Sequence, residues 1–233
     1  MKRLSAWLHS LSAGCGKLPL VAALALVAAA RLTPVLVPSR GPVLAPVAVE
    51  PPAASLQDRE ILDGVLARRA PELGLTLRQQ LAHAIAEEAQ AAGYDPLLIL
   101  AIIDVESDFE EDAVSNRGAR GLMQIQPTTL YFLAQKEGLR LTREEVAQDP
   151  ALCVRLGVRY LRSLQNRFGG DIDFALMAYN AGPTKIRGAL RDRETDFFRS
   201  YPKLVRRHFR RFREGQGLTG DWALAQRNGP EGE

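Results

Sequence analysis

DPLLILAIIDVE, Asp95 to Glu106, is the stretch on which the fold turns. Asp95 suits a helix N-cap, and Pro96 falls at the first helical position, where no intrahelical N–H bond is lost. From Leu97 to Ile103 every side chain is apolar. A helix made of this run has no face for water and must be enclosed by other protein. Glu106 follows Ile102 and Ile103 on the same helical face. An acid placed beside buried apolar surface has its pKa raised by desolvation, which holds a proton near neutral pH and suits it to general acid catalysis.

Outward from this run the periodicity is helical on both sides. Leu56 to Arg69 forms a short amphipathic piece, and Thr76 to Ala92 a longer helix with Leu77, Leu81, Ala84, Ile85 and Ala89 inside and Glu87, Glu88 and Gln90 outside, ended by Gly93. A loop from Ser107 to Arg120 contains Asn116 and Gly118. A further helix opens around Pro127, and another follows Asp149 and Pro150 as far as Gly169 and Gly170. The next starts at Asp171 and is stopped by Gly182 and Pro183. The stretch from Phe197 to Phe212 is amphipathic and strongly basic, with Leu204, Val205 and Phe209 to dock it and its arginines as a solvated face. No alternating strand pattern follows the N-terminal region, so the expected class is all-α.

The first residues differ in kind. Lys2, Arg3 and Lys17 precede the apolar run LPLVAALALVAAA from Leu18 to Ala30, the pattern of an export signal, with an uncleaved anchor as the alternative. Pro34, Pro38, Pro42, Pro46, Pro51 and Pro52 then mark an extended linker. The expected organisation is a signal or anchor at 1–30, a Pro/Ala-rich linker at 31–57, a catalytic domain at 58–213 and a flexible tail at 214–233. Setting Lys2, Arg3 and Lys17 aside from the 30 basic residues leaves 27 against 27 acidic ones, so net charge makes no case for nucleic acid. Cys15 lies in the export segment and Cys153 stands alone, so no disulfide framework is implied. The three histidines are far apart and no metal or other cofactor is expected.

Glu106 keeps particular company. Ser115 lies in the following loop, Gln124 in GLMQI at the start of the next helix, and Tyr179 and Asn180 in AYNAGP near the end of another. Uncharged hydroxyl, amide and phenol groups are the usual means of holding a sugar. The motifs ES at Glu106 and Ser107, GLMQI at Gly121 to Ile125, DP…G..YL from Asp149 through Gly157 to Leu161, and AYNAGP at Ala178 to Pro183 resemble the lytic transglycosylases of the soluble, lysozyme-like type. The resemblance spans roughly Leu81 to Leu190. It implies a goose-lysozyme-like α-helical domain that cleaves the MurNAc-β-1,4-GlcNAc bond of peptidoglycan strands in the periplasm or cell envelope. It also implies that Glu106 is the acid and base, that Ser115 and Gln124 line the glycan groove, and that Tyr179 and Asn180 form its other wall. Where this family has asparagine after Leu152, this chain has Cys153.

The reaction is constrained by what Glu106 lacks. Ordinary glycosidases use two carboxylates, whereas Asp104 and Asp108 are two positions away and face elsewhere on a continuous helix. A single carboxylate fits an intramolecular transfer that leaves a 1,6-anhydroMurNAc end. The alternatives are a hydrolytic muramidase drawing on Asp112 or Asp173, and a non-catalytic peptidoglycan-binding envelope protein. Membrane association through the N-terminal segment is compatible with all three.

Overall fold

A computed structural model describes residues 56–226. In chain order the helices are α1 (Leu56–Arg69), α2 (Leu75–Ala92), α3 (Pro96–Ser107), α4 (Pro127–Lys136), α5 (Arg143–Ala147), α6 (Pro150–Arg167), α7 (Ile172–Ala181), α8 (Pro183–Asp192) and α9 (Ser200–Glu214). Two 3-10 turns, Asp196–Phe198 and Trp222–Ala225, complete the elements. Among the described residues β pairing is confined to isolated bridges, so the class is all-α as expected. The 1–30 signal or anchor, the linker up to residue 55 and the tail from residue 227 lie outside the described residues; α1 already begins at Leu56.

α3 is the axis of the domain, flanked by α1, α2 and α9. Leu97 to Ile103 are each at most 3% exposed, and burying side chains of this size contributes about 1.5–3 kcal/mol apiece. Its start follows from local chemistry. Gly93 takes the left-handed conformation, φ 72°, that ends α2, and the Asp95 carboxylate accepts from the Leu97 N–H at 2.9 Å. The same device starts α6, where Asp149 accepts from Leu152 N–H at 2.9 Å, and α7, where Asp171 accepts from the N–H groups of Asp173 and Phe174. Thr142 and Glu145 close a capping box on α5.

Three details depart from the expectations. Glu88 is buried, not outward: both its oxygens accept from Arg159 of α6, at 2.7 and 2.8 Å, which fastens α2 to α6. Gly182 and Pro183 end α7 and also begin α8, because proline is as good a first residue as it is a stop. The tail is not free from residue 214. Asp95 N–H donates to Ala225 O at 3.0 Å, and Trp222 stacks edge-on against Phe209 with ring centroids 5.6 Å apart. Buried Arg213 pairs with buried Asp95 and also donates to Thr219 O. Residues up to 226 thus strap the start of α3.

Candidate active site

The far end of α3 is held as firmly as its start. The Ser107 hydroxyl is within hydrogen-bond reach of Leu122 O at 3.0 Å, tying the helix end to the GLMQI turn. Asp108 and Phe109 both have positive φ, 52° and 69°, a strained conformation for side chains other than glycine. Burial offsets it: Phe109 is fully enclosed, edge-on to Phe212 at 6.2 Å with the Arg69 guanidinium 5.4 Å from its ring centre. Asp104 faces away from Glu106 and is consumed by Arg69, Arg211 and His208 Nδ1, the last at 2.6 Å. Asp108 pairs with Arg69 at 2.5 Å.

Between these fixings Glu106 enters a groove of about 450 Å³. Burial pushes its carboxyl up to about 7, with the Tyr201 hydroxyl pulling the other way. That hydroxyl donates to Glu106 Oε1 at 2.5 Å, and Oε2 has no partner among the described residues. Tyr201 is itself held well above the ordinary phenol range by burial and by the neighbouring carboxylate, so it stays a donor. The site therefore presents one carboxyl with a proton near neutral pH and one free oxygen from which to deliver it.

Ser115, Gln124, Tyr179 and Asn180 line this same groove. They are all in place, but their polar atoms are not all directed at a ligand. Ser115 Oγ accepts from the backbone of Ala119 at 3.0 Å and Arg117 at 3.3 Å, shaping its own loop while keeping a hydroxyl proton to donate. Gln124, in the left-handed region at φ 45°, spends its amide nitrogen on Ala113 O and Gly121 O at 2.9 and 3.0 Å. Tyr179 donates to Met123 O at 2.8 Å, so it offers the groove its ring and not its hydroxyl. Asn180 is exposed and its amide has no partner among the described residues.

Tyr160, the tyrosine of the DP…G..YL motif, stands on the groove wall with its ring 5.8 Å from that of Tyr179. Gly157 explains the glycine of the DP…G..YL motif: a Cβ there would meet Met123 Sδ at 2.5 Å and Ile125 Cδ1 at 3.1 Å, so α6 can lie against the GLMQI turn only without one. Buried Cys153 spends its thiol on Val146 O at 3.2 Å. Tyr201 had no sequence signal beyond being an aromatic in a basic amphipathic stretch.

Glu106 is the one acid among the described residues lining the groove. Asp112 lines a separate recess with Glu111 and Glu144 behind the Ser115 loop, and Asp173 is paired with Arg206. Among the described residues no group of three or more His, Cys, Asp or Glu is placed to hold a metal ion.

The family model described as Transglycosylase SLT domain matches residues 83–200. Membrane-bound lytic murein transglycosylase C of Haemophilus influenzae is 35% identical in a match covering 53% of this chain and 38% of that protein. Soluble lytic murein transglycosylase of Escherichia coli K12 is 33% identical over 38% of this chain and 14% of its own length. Among solved structures, an inactive glutamate-to-glutamine mutant of lytic transglycosylase Slt from Pseudomonas aeruginosa superposes with a TM-score of 0.52 at 29% identity, covering 69% of this chain and 27% of that one. The 70 kDa soluble lytic transglycosylase of E. coli superposes with a TM-score of 0.54 at 22% identity, covering 74% of this chain and 31% of that one, a likeness of fold. The chain spans well under half the length of these relatives. With the fold all-α and lysozyme-like and the family model covering half its residues, this chain belongs to the transglycosylase SLT domain family.

Proposed function

We propose that this chain is a peptidoglycan lytic transglycosylase that cleaves the MurNAc-β-1,4-GlcNAc bond and leaves 1,6-anhydroMurNAc ends. The observation that carries the reading is a single acid, Glu106, in a groove whose other described lining residues are uncharged except Arg117, protonated near neutral pH with Oε2 unpartnered. Glu106 gives its proton to the bridging oxygen as the C1–O bond breaks. The carboxylate left behind takes the proton of the muramoyl C6 hydroxyl as that oxygen bonds to C1. Glu106 ends the cycle protonated, and no water is consumed. A hydrolase needs a second acid to activate water, and neither Asp112 nor Asp173 lines this groove.

In this reading Tyr201 steadies the carboxylate form that exists between the two proton transfers. The Tyr179 and Tyr160 rings form a wall for the pyranose faces, and Ser115 and Asn180 supply hydrogen bonds to acetamido or hydroxyl groups. Gln124 acts mainly by bracing the turn. The inactive glutamate-to-glutamine form of the P. aeruginosa relative agrees with one indispensable acid. The chain acts outside the cytoplasm, in the periplasm or cell envelope, with residues 1–30 as signal or membrane anchor. Release of soluble material from purified sacculi tests the activity: Glu106→Gln should reduce it at least 1000-fold, a loss matching removal of the only proton donor and acceptor, and a variant as active as the wild type would overturn the assignment.

A further inference from the structure

α9 lies antiparallel along α3. Tyr201 at its start meets Glu106 at the end of α3, and Arg213 near its end pairs with Asp95, the N-cap of α3. Between these points α9 buries Val205, Phe209 and Phe212. Apolar burial is non-directional, so it does not by itself fix how far one helix lies along the other. Asp104 supplies the direction. Its carboxylate is 1% exposed and wholly taken up: Oδ1 accepts from Arg69 of α1, while Oδ2 accepts from Arg211 and lies 2.6 Å from Nδ1 of His208, both on α9. Asp104 does not line the Glu106 groove, and no step of the reaction uses its carboxyl.

A buried carboxylate matched to charged partners selects one register, because a slide of either helix leaves the charge without them. Asp104 stands two residues before Glu106 on α3, about 3 Å along its axis, whereas Asp95 stands roughly 16 Å away at the other end. On α9, His208 follows Tyr201 by seven residues, two turns along one face. We infer that Asp104 is a positioning residue for the reaction: by gripping His208 and Arg211 it sets the register of α9 on α3, and so holds the Tyr201 hydroxyl against Glu106. Arg69 completes the device from the other side. It pairs with both Asp104 and Asp108, so the end of α3 is braced by α1 while α9 is drawn onto it. The inference rests on the lytic transglycosylase reading above and adds to it a residue that touches neither substrate nor Glu106.

The test is steady-state kinetics of the full chain on soluble peptidoglycan strands. Asp104→Asn, His208→Ala and His208→Asn are each measured alone and combined with Tyr201→Phe. Asp104→Asn and His208→Ala should each lower kcat about three- to tenfold, no further than Tyr201→Phe, whose limit is one hydrogen bond to a charged group. KM should be unchanged, and the alkaline limb of the pH–rate profile should move to higher pH, as with Tyr201→Phe. In the Tyr201→Phe background neither should add a further loss, because both act through the same contact. His208→Asn keeps a side-chain N–H donor and should restore most of what alanine loses. His208 is less buried than Asp104, so its two variants carry the test even if Asp104→Asn does not fold. A lowered thermal midpoint with wild-type kcat and pH profile would overturn the inference, as would losses that multiply with that of Tyr201→Phe; either leaves the transglycosylase reading intact. Glu106→Gln cleaving strands as fast as the wild type would overturn that reading and this inference with it.

Discussion

The hydroxyl of Tyr201 donates to Oε1 of Glu106 at 2.5 Å, joining two residues 95 positions apart. The contact couples α9 to the end of α3 and sets two opposing influences on one carboxyl. Burial favours the protonated acid, and the phenol favours the carboxylate. An acid that must give up a proton and then take one back is served by both.

Removing the phenol separates these influences. Tyr201→Phe deletes a bond that stabilises the charged form, so the Glu106 pKa should rise further and the alkaline limb of the pH–rate profile should move to higher pH. The rate should fall roughly tenfold, the cost of one hydrogen bond to a charged group. Initial rates on sacculi between pH 5 and 9 measure both effects.

The wild-type profile has its own expectation. Glu106 must start protonated, and its pKa is pushed up to about 7. The rate constant for substrate capture and cleavage, kcat/KM, should therefore decline above about pH 7 with a slope of one proton. A decline already complete at pH 5 would contradict the acid role.

The same shift affects stability. The folded chain holds the Glu106 proton up to about 7, while an ordinary glutamate releases it near 4.5. The native state thus binds more protons across this window, and the Glu106 contribution to stability is lost as pH rises through it. Glu106→Gln removes the burdened carboxylate. It should be near neutral for stability at pH 4 and stabilising by about 2–3 kcal/mol at pH 8, or roughly 5–10 °C in Tm, measurable by thermal melts at the two pH values.

The axis of the fold and the placement of its acid were legible in sequence because both are local. Asp95, Pro96 and an unbroken apolar run specify α3 without reference to distant residues, and Glu106 follows by helical phase. Ser115, Gln124, Tyr179 and Asn180 were legible as neighbours of the groove. The direction of their polar atoms was not, because Met123 O and Ala113 O are acceptors supplied by tertiary packing. Tyr201 and the strap at Trp222 escaped for a related reason. Neither carries a local pattern that names its partner, Tyr201 following Phe197 and Phe198 in a basic stretch and Trp222 lying in GDWALA, and only the folded chain brings Tyr201 to Glu106 and Trp222 to Phe209. Glu88 shows the converse: a charge that sequence assigns to solvent is buried because Arg159 meets it with two hydrogen bonds.

Phe109 tests how the acid is held. It sits fully buried in a left-handed turn three residues after Glu106. Phe109→Ala should cost about 3–5 kcal/mol by cavity formation, seen as a lowered midpoint in urea. Activity of the molecules still folded should also fall, since the end of α3 loses its anchor.

The identity of the product end tests the single-carboxylate transfer most directly. Mass spectrometry of muropeptides released by the wild-type chain should find 1,6-anhydroMurNAc ends throughout, and none above background with Glu106→Gln. Reducing MurNAc ends, one water heavier, as the main wild-type product would contradict the transfer and require a second acid that the described groove lining does not contain.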